Sequence, residues 1–156
     1  MTPKIIEKHS EGSVDVLGIV RRIIRHLPAE TLDGLQEILI MDTNPDRNAF
    51  GCYRKSNGRI ELYLDGITHW QPWLLKKTYI FPYLIIGMAL GHEIDHHVNR
   101  DKVNINLEAS AENNALRYVY PSLGLFKPAF RLFSLIARSK VNKSLKLDAA
   151  KHRRAP

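Results

Sequence analysis

Sulfur chemistry is nearly absent from this chain: Cys52 is the only cysteine in 156 residues. That excludes an internal disulfide and the thiolate clusters of zinc ribbons, and it suits a reducing compartment, so a cytoplasmic location is expected. Long apolar runs are missing too. The longest, residues 79–91 (YIFPYLIIGMALG), has 13 residues, contains Pro82 and leads straight into His-Glu. A membrane span takes about 20 apolar residues, so the run reads as a buried helix and no transmembrane segment is expected. The opening MTPKIIEKHSEG lacks the apolar core of a secretory signal, and no export is expected. Acidic residues are scarce at the other end. From Lys127 onward nine Lys and Arg stand against Asp148 alone, so the rest of the chain carries a net −1 of the total +7.

What is present is ordinary globular material, 44% apolar and 25% charged, enough for one domain with a real core. That domain is assigned to residues 1–141, with 142–156 as a basic tail. Ser13 can cap a helix over 14–26, where Val16, Ile19, Val20, Ile23 and Leu27 recur at helical spacing before Pro28. Residues 35–41 read as a strand entering a turn at 42–46. Residues 49–54 and 59–65 flank Lys55-Ser56-Asn57-Gly58, whose Asn-Gly pair signals a hairpin. In its second arm Ile60, Leu62 and Leu64 alternate with Glu61, Tyr63 and Asp65, giving one apolar face and one wet face. Helices are expected over 70–77, 81–98, 106–119 and 128–139. The fold class is therefore α+β, with about three strands, antiparallel or mixed, packed on helices.

The chemistry concentrates in Gly91-His92-Glu93-Ile94-Asp95-His96-His97. His92 and His96 are four apart, so on a helix their rings stand one turn above each other on one face. Two imidazoles so placed can close on one zinc ion. Glu93, beside the first of them, is offset from the ligand face but within reach of a metal-activated water, the role of general base in H-E-x-x-H. A solvated helix end that happens to carry histidines is the bland alternative. The apolar Leu84, Ile85, Met88 and Ala89 on the same helix argue against it, because unpaired imidazole and carboxylate groups are costly to bury there. A catalytic zinc takes three protein ligands, so a third is expected from the next helix. Glu108 and Glu112, one turn apart, both qualify, and spacing alone does not choose between them.

With these residues in place the sequence resembles the zincin metallopeptidases, in particular the gluzincin branch, which joins an H-E-x-x-H helix to a glutamate on a following helix. Glu108-x-x-Ala111-x-x-x-Ala115 followed by Pro121 is similar to the second motif of the ImmA/IrrE-type intracellular metallopeptidases. The resemblance covers roughly residues 59–121. It implies a zincin-like fold, Zn2+ as cofactor, Glu108 as third ligand and Glu112 as a partner of a ligand histidine, with the small residues letting two helices pack closely. Eleven residues separate His96 from Glu108, which requires a tight turn at 99–104, and Asn114 stands where that motif carries an aromatic. The implied activity is hydrolysis of peptide bonds in a protein or peptide substrate, which would add as a further strand along the edge of 59–65.

Four other residues carry weaker expectations. His97 points about 100° away from His96 and reads as a surface residue, a support for the ligands or an alternative ligand. Asp95 reads as a solvated residue or a partner of Arg100. Tyr118 reads as a core tyrosine, or as a phenol stabilising an oxyanion. His69 has a possible place at the rim of a cleft, with Trp70 and Trp73 filling core space. The basic end admits a solvated face, contact with nucleic acid, or an anionic membrane surface. The rival to an enzyme is therefore a nucleic-acid-associated regulator with a structural or degenerate zinc site, closed by Glu112, His97 or Asp101 as fourth ligand.

Overall fold

The computed structural model describes residues 2–8, 14–43, 49–65, 80–102 and 106–128. Four strands form one mixed sheet in the order β1-β2-β4-β3: β1 (Lys4–Lys8), β2 (Glu37–Met41), β3 (Gly51–Arg54) and β4 (Arg59–Tyr63). β1 and β4 each run parallel to β2, and β3 runs antiparallel to β4. The α-helices among the described residues are α1 (Val16–Arg25), α2 (Ile80–Val98) and α3 (Leu107–Val119), with 3-10 turns at Ala29–Leu32 and Tyr120–Phe126. The fold is α+β, as expected. The chain divides into two units, residues 1–122 and 123–156. Every strand and α-helix named here belongs to the first; of the second, residues 123–128 are described.

Local chemistry accounts for most boundaries. α1 starts at Val16 rather than at residue 14, because the Asp15 carboxylate caps it, Asp15 Oδ1 accepting the Gly18 N–H at 2.7 Å; Ser13 lies outside the described residues. Its buried stripe is Val16, Ile19, Val20, Ile23 and Ile24. The Asn-Gly hairpin forms as read, with Gly58 at φ +59°, a region its missing Cβ makes accessible. α2 carries Pro82 in its first turn, where a missing N–H costs nothing. Asn106 caps α3, its side chain accepting the Ala109 N–H at 3.1 Å. Among the described residues no helix is long and apolar enough to cross a membrane.

Three features depart from expectation. β1 is a strand the sequence reading did not assign, and it lies outermost, beside β2. β4 is paired on both sides, so it has no free edge, and the outer strand on that side is β3. Its polar face is also not wet. Tyr63 is only 1% exposed and its hydroxyl donates to Glu61 Oε2 at 2.7 Å, with Arg54 Nε on the same carboxylate oxygen at 3.2 Å.

The opposite face holds the core. Ile38, Ile40, Ile60 and Leu62 are fully buried. Register sets Gly51 opposite Leu62 and Tyr53 opposite Ile60, so Gly51 and Tyr53 share that face. α2 packs on β3 and β4, α1 packs on α2 and β1, and α3 packs along α2.

Candidate metal centre

Helical periodicity sorts the end of α2 into three stripes, each an i, i+4 series. Gly91 and Asp95 face α3, with Asn99 next in the series just past the helix end. Glu93 and His97 face β3. His92 and His96 lie between them.

The stripe facing α3 is built for close approach. A Cβ on Gly91 would collide with the backbone carbonyl of Ala115, and Ala111 and Ala115 are buried beside it. Small residues thus let the helices touch. Asp95 is 1% exposed, and its solvated reading is corrected here. Its Oδ2 accepts from Ser110 Oγ at 2.7 Å and Asn99 Nδ2 at 2.8 Å, and its Oδ1 from the Tyr118 hydroxyl at 2.9 Å. Burial and that hydrogen bond push the Tyr118 phenol up to about 12. Tyr118 is thereby committed to Asp95 rather than to the histidine pair.

The stripe facing β3 carries the other buried groups. Glu93 is 6% exposed and packs against Gly51. Burial pushes its carboxyl up to about 7, opposed by a hydrogen bond from the Tyr53 backbone and reinforced by the charge of Glu108. His97 is also buried, not on the surface. Its Nδ1 lies 3.1 Å from the Tyr53 hydroxyl and its Nε2 3.0 Å from the Asp33 carbonyl oxygen. Since a carbonyl only accepts, the proton belongs on Nε2, and Nδ1 accepts from Tyr53. Burial first and Arg100 second hold this imidazole below its ordinary value, so it stays neutral. Both ring nitrogens are engaged, which leaves neither for a metal.

Between these stripes the two imidazoles converge. His92 Nε2 and His96 Nε2 are 3.0 Å apart, and from the first turn of α3 Glu108 brings Oε2 to 3.3 Å from His92 Nε2 and Oε1 to 3.3 Å from His96 Nε2. Burial, then the neighbouring His92, lowers the pKa of His96, which disfavours an ion pair with Glu108. Tetrahedral ligands about 2.05 Å from zinc stand about 3.3 Å from one another; each imidazole nitrogen meets a different oxygen of Glu108 at that spacing, and one ligand atom from each residue lies within 4.8 Å of the others. Imidazole nitrogen and carboxylate oxygen are also donor types that zinc accepts. Glu108 is 74% exposed against 26% for His92 and 16% for His96, so the group opens toward solvent on one side.

No protein-family model, curated protein or solved structure matches the chain. The site therefore rests on its own geometry. His92, His96 and Glu108 come together, with Glu93 on the adjoining stripe. Glu112 is exposed on α3, outside the group. Asp101 is exposed and pairs with Lys55 at 3.0 Å, which holds its carboxyl below the usual range. His69, Trp70, Trp73, the helices at 70–77 and 128–139 beyond residue 128, and the basic tail lie outside the described residues. Sequence reasoning missed Asp95, Ser110, Asn99, Gly51 and Tyr53 as parts of the site. For Asp95 the one cue was its place four residues after Gly91, and nothing local shows that a second helix covers that stripe.

Proposed function

We propose that the chain is a zinc-dependent metallopeptidase of the zincin kind, close to the gluzincin pattern, with His92, His96 and Glu108 holding the metal and Glu93 as general base. The observation that carries this reading is the meeting of two imidazole nitrogens, 3.0 Å apart, with the carboxylate of Glu108, one oxygen 3.3 Å from each nitrogen, beside a buried carboxyl. A zinc ion held there would supply Lewis acidity, acidifying a water and polarising a peptide carbonyl.

The chain's own residues divide the remaining work. Burial of Glu93 places its proton affinity at about 7, so its carboxylate can take a proton from water and return it to a leaving amine near neutral pH. Gly51 on β3 gives that carboxylate its room, and the Tyr53 backbone hydrogen bond keeps it oriented. Tyr53 and the Asp33 carbonyl hold His97, fixing the end of α2 to β3. β3 is the outer strand and lies next to Glu93, so an extended peptide could add along its edge and present its backbone to the site.

The test uses the full chain loaded with Zn2+ and a library of internally quenched peptides. Wild type is expected to cleave, and Glu93→Gln to keep one metal per chain while losing hydrolysis. A metal-replete Glu93→Gln protein with full activity would sink the mechanism.

A further inference from the structure

α2 and α3 touch through Gly91, Ala111 and Ala115, and small residues permit closeness without choosing a rotation. Dispersion contacts between smooth surfaces change little when one helix turns or slides past the other. Something directional must select the arrangement in which Glu108, rather than another residue of α3, reaches the imidazoles.

We propose that Asp95 is a positioning residue for the metal centre: by accepting hydrogen bonds from Ser110 and Tyr118 of α3, its carboxylate sets the rotation and axial register that bring Glu108 to His92 and His96. The inference rests on the metal reading above and adds to it the device that completes the ligand set. Ser110 and Tyr118 are eight residues apart, about 12 Å along a helix axis. Tyr118 reaches back toward the N-terminus of α3, as helical side chains do, so both donors converge on one carboxylate. α3 is thus gripped at two levels, which restrains its rotation and its sliding together. The same carboxylate accepts from Asn99, tying in the residue that follows α2. Asn114 Nδ2 in turn donates to Ser110 Oγ at 3.1 Å, holding that hydroxyl toward Asp95. Every polar contact of Asp95 named here is to a donor, and the group is shielded from water, so the bonds are directional and water does not compete for them. Ser110 lies two residues from Glu108, so a restraint on the first is transmitted to the second through one half-turn of backbone.

A double-mutant cycle tests this, reading Co2+ affinity by chelator competition and the Co2+ d–d spectrum on the full chain. Glu108→Gln in the wild-type background is expected to weaken Co2+ binding about 100-fold and to change the spectrum as a carboxylate leaves the metal. Asp95→Ala is expected to weaken it at least about 10-fold and to give the Glu108→Gln spectrum. In the Asp95→Ala background, Glu108→Gln is then expected to cost less than about 3-fold, because Glu108 no longer reaches the metal. Asp95→Asn, which keeps one acceptor oxygen, is expected to recover part of the loss. If Asp95→Ala does not fold, the same cycle is run with Ser110→Ala and Tyr118→Phe, each of which removes one donor and leaves the carboxylate. A merely structural role would lower the melting temperature and leave the full Glu108→Gln factor in every background; that result overturns the proposal while the metal site stands. Absence of Co2+ binding by folded wild-type protein overturns the metal reading and the proposal with it.

Discussion

The Glu93 carboxylate rests against the bare α-carbon of Gly51: a methyl group there would stand 2.8 Å from Glu93 Cγ and 3.1 Å from its Oε1. Gly51 is not at a turn and needs no unusual backbone angle. Its role is space. Gly51→Ala is expected to leave metal stoichiometry intact and to lower kcat by about 100-fold, since a shift of about 1 Å in a reacting group costs that much. Steady-state kinetics on metal-replete protein check it, and an unchanged kcat would remove Gly51 from the site.

The choice between the two carboxylates of α3 is open to direct measurement. Glu108 meets both imidazoles, whereas Glu112 is exposed one turn further along. Glu108→Ala is expected to weaken Zn2+ binding at least about 100-fold and Glu112→Ala by less than about 3-fold. Titration against a chromophoric chelator separates them. Equal losses would mean that both acids serve the metal.

Metal-free protein should carry a signature of Glu93 in its stability. Burial raises this carboxyl from 4.5 to about 7, so in that window the folded state holds a proton the unfolded chain has released. The stabilisation from Glu93 is complete below pH 4.5 and is lost as pH rises to about 7, a change on the order of 3 kcal/mol. His96 and His97 work the other way. Their imidazoles are held below the ordinary value, so below pH 6.5 the unfolded chain binds more protons and stability rises with pH. Both histidines are shared with Glu93→Gln, so the difference between the two proteins isolates Glu93. Wild type is expected to lose stability relative to Glu93→Gln from pH 4.5 to 7 in denaturant melts without metal. A difference independent of pH would mean that the carboxyl is not buried.

His97 separates support from ligation. Its ring joins Tyr53 to the Asp33 carbonyl and packs edge-on to the Tyr53 ring at 5.2 Å. His97→Ala leaves those partners unsatisfied and is expected to cost about 2–3 kcal/mol of stability. Zn2+ affinity per folded molecule should change by less than about 3-fold, because neither ring nitrogen faces His92 or His96. A large loss of affinity in a folded variant would restore His97 as a ligand.

Elements governed by neighbours in the chain were legible without a structure. The Asn57-Gly58 hairpin, the apolar stripe of α1 and the ends of α3 follow from turn chemistry and periodicity, which act over a few residues. β1 was not legible. Its five residues, KIIEK, set two isoleucines side by side between charges, and its strand partner lies beyond α1, at a distance no local pattern spans. Asp95 was misjudged for a related reason. A carboxylate on a helix looks solvated until one knows which stripe another helix covers.

By itself the sequence determined that His92 and His96 share one helical face, with Glu93 turned away from it, because a four-residue step along a helix is a local geometric fact. Only the tertiary structure decided which carboxylate joins them, that Asp95 and Tyr118 face each other, and that among the described residues β3 rather than β4 is the outer strand. Those outcomes depend on how one helix is rotated against another and on the order of strands in a sheet. Both are set by packing between segments far apart in the chain, where spacing along the sequence carries no information.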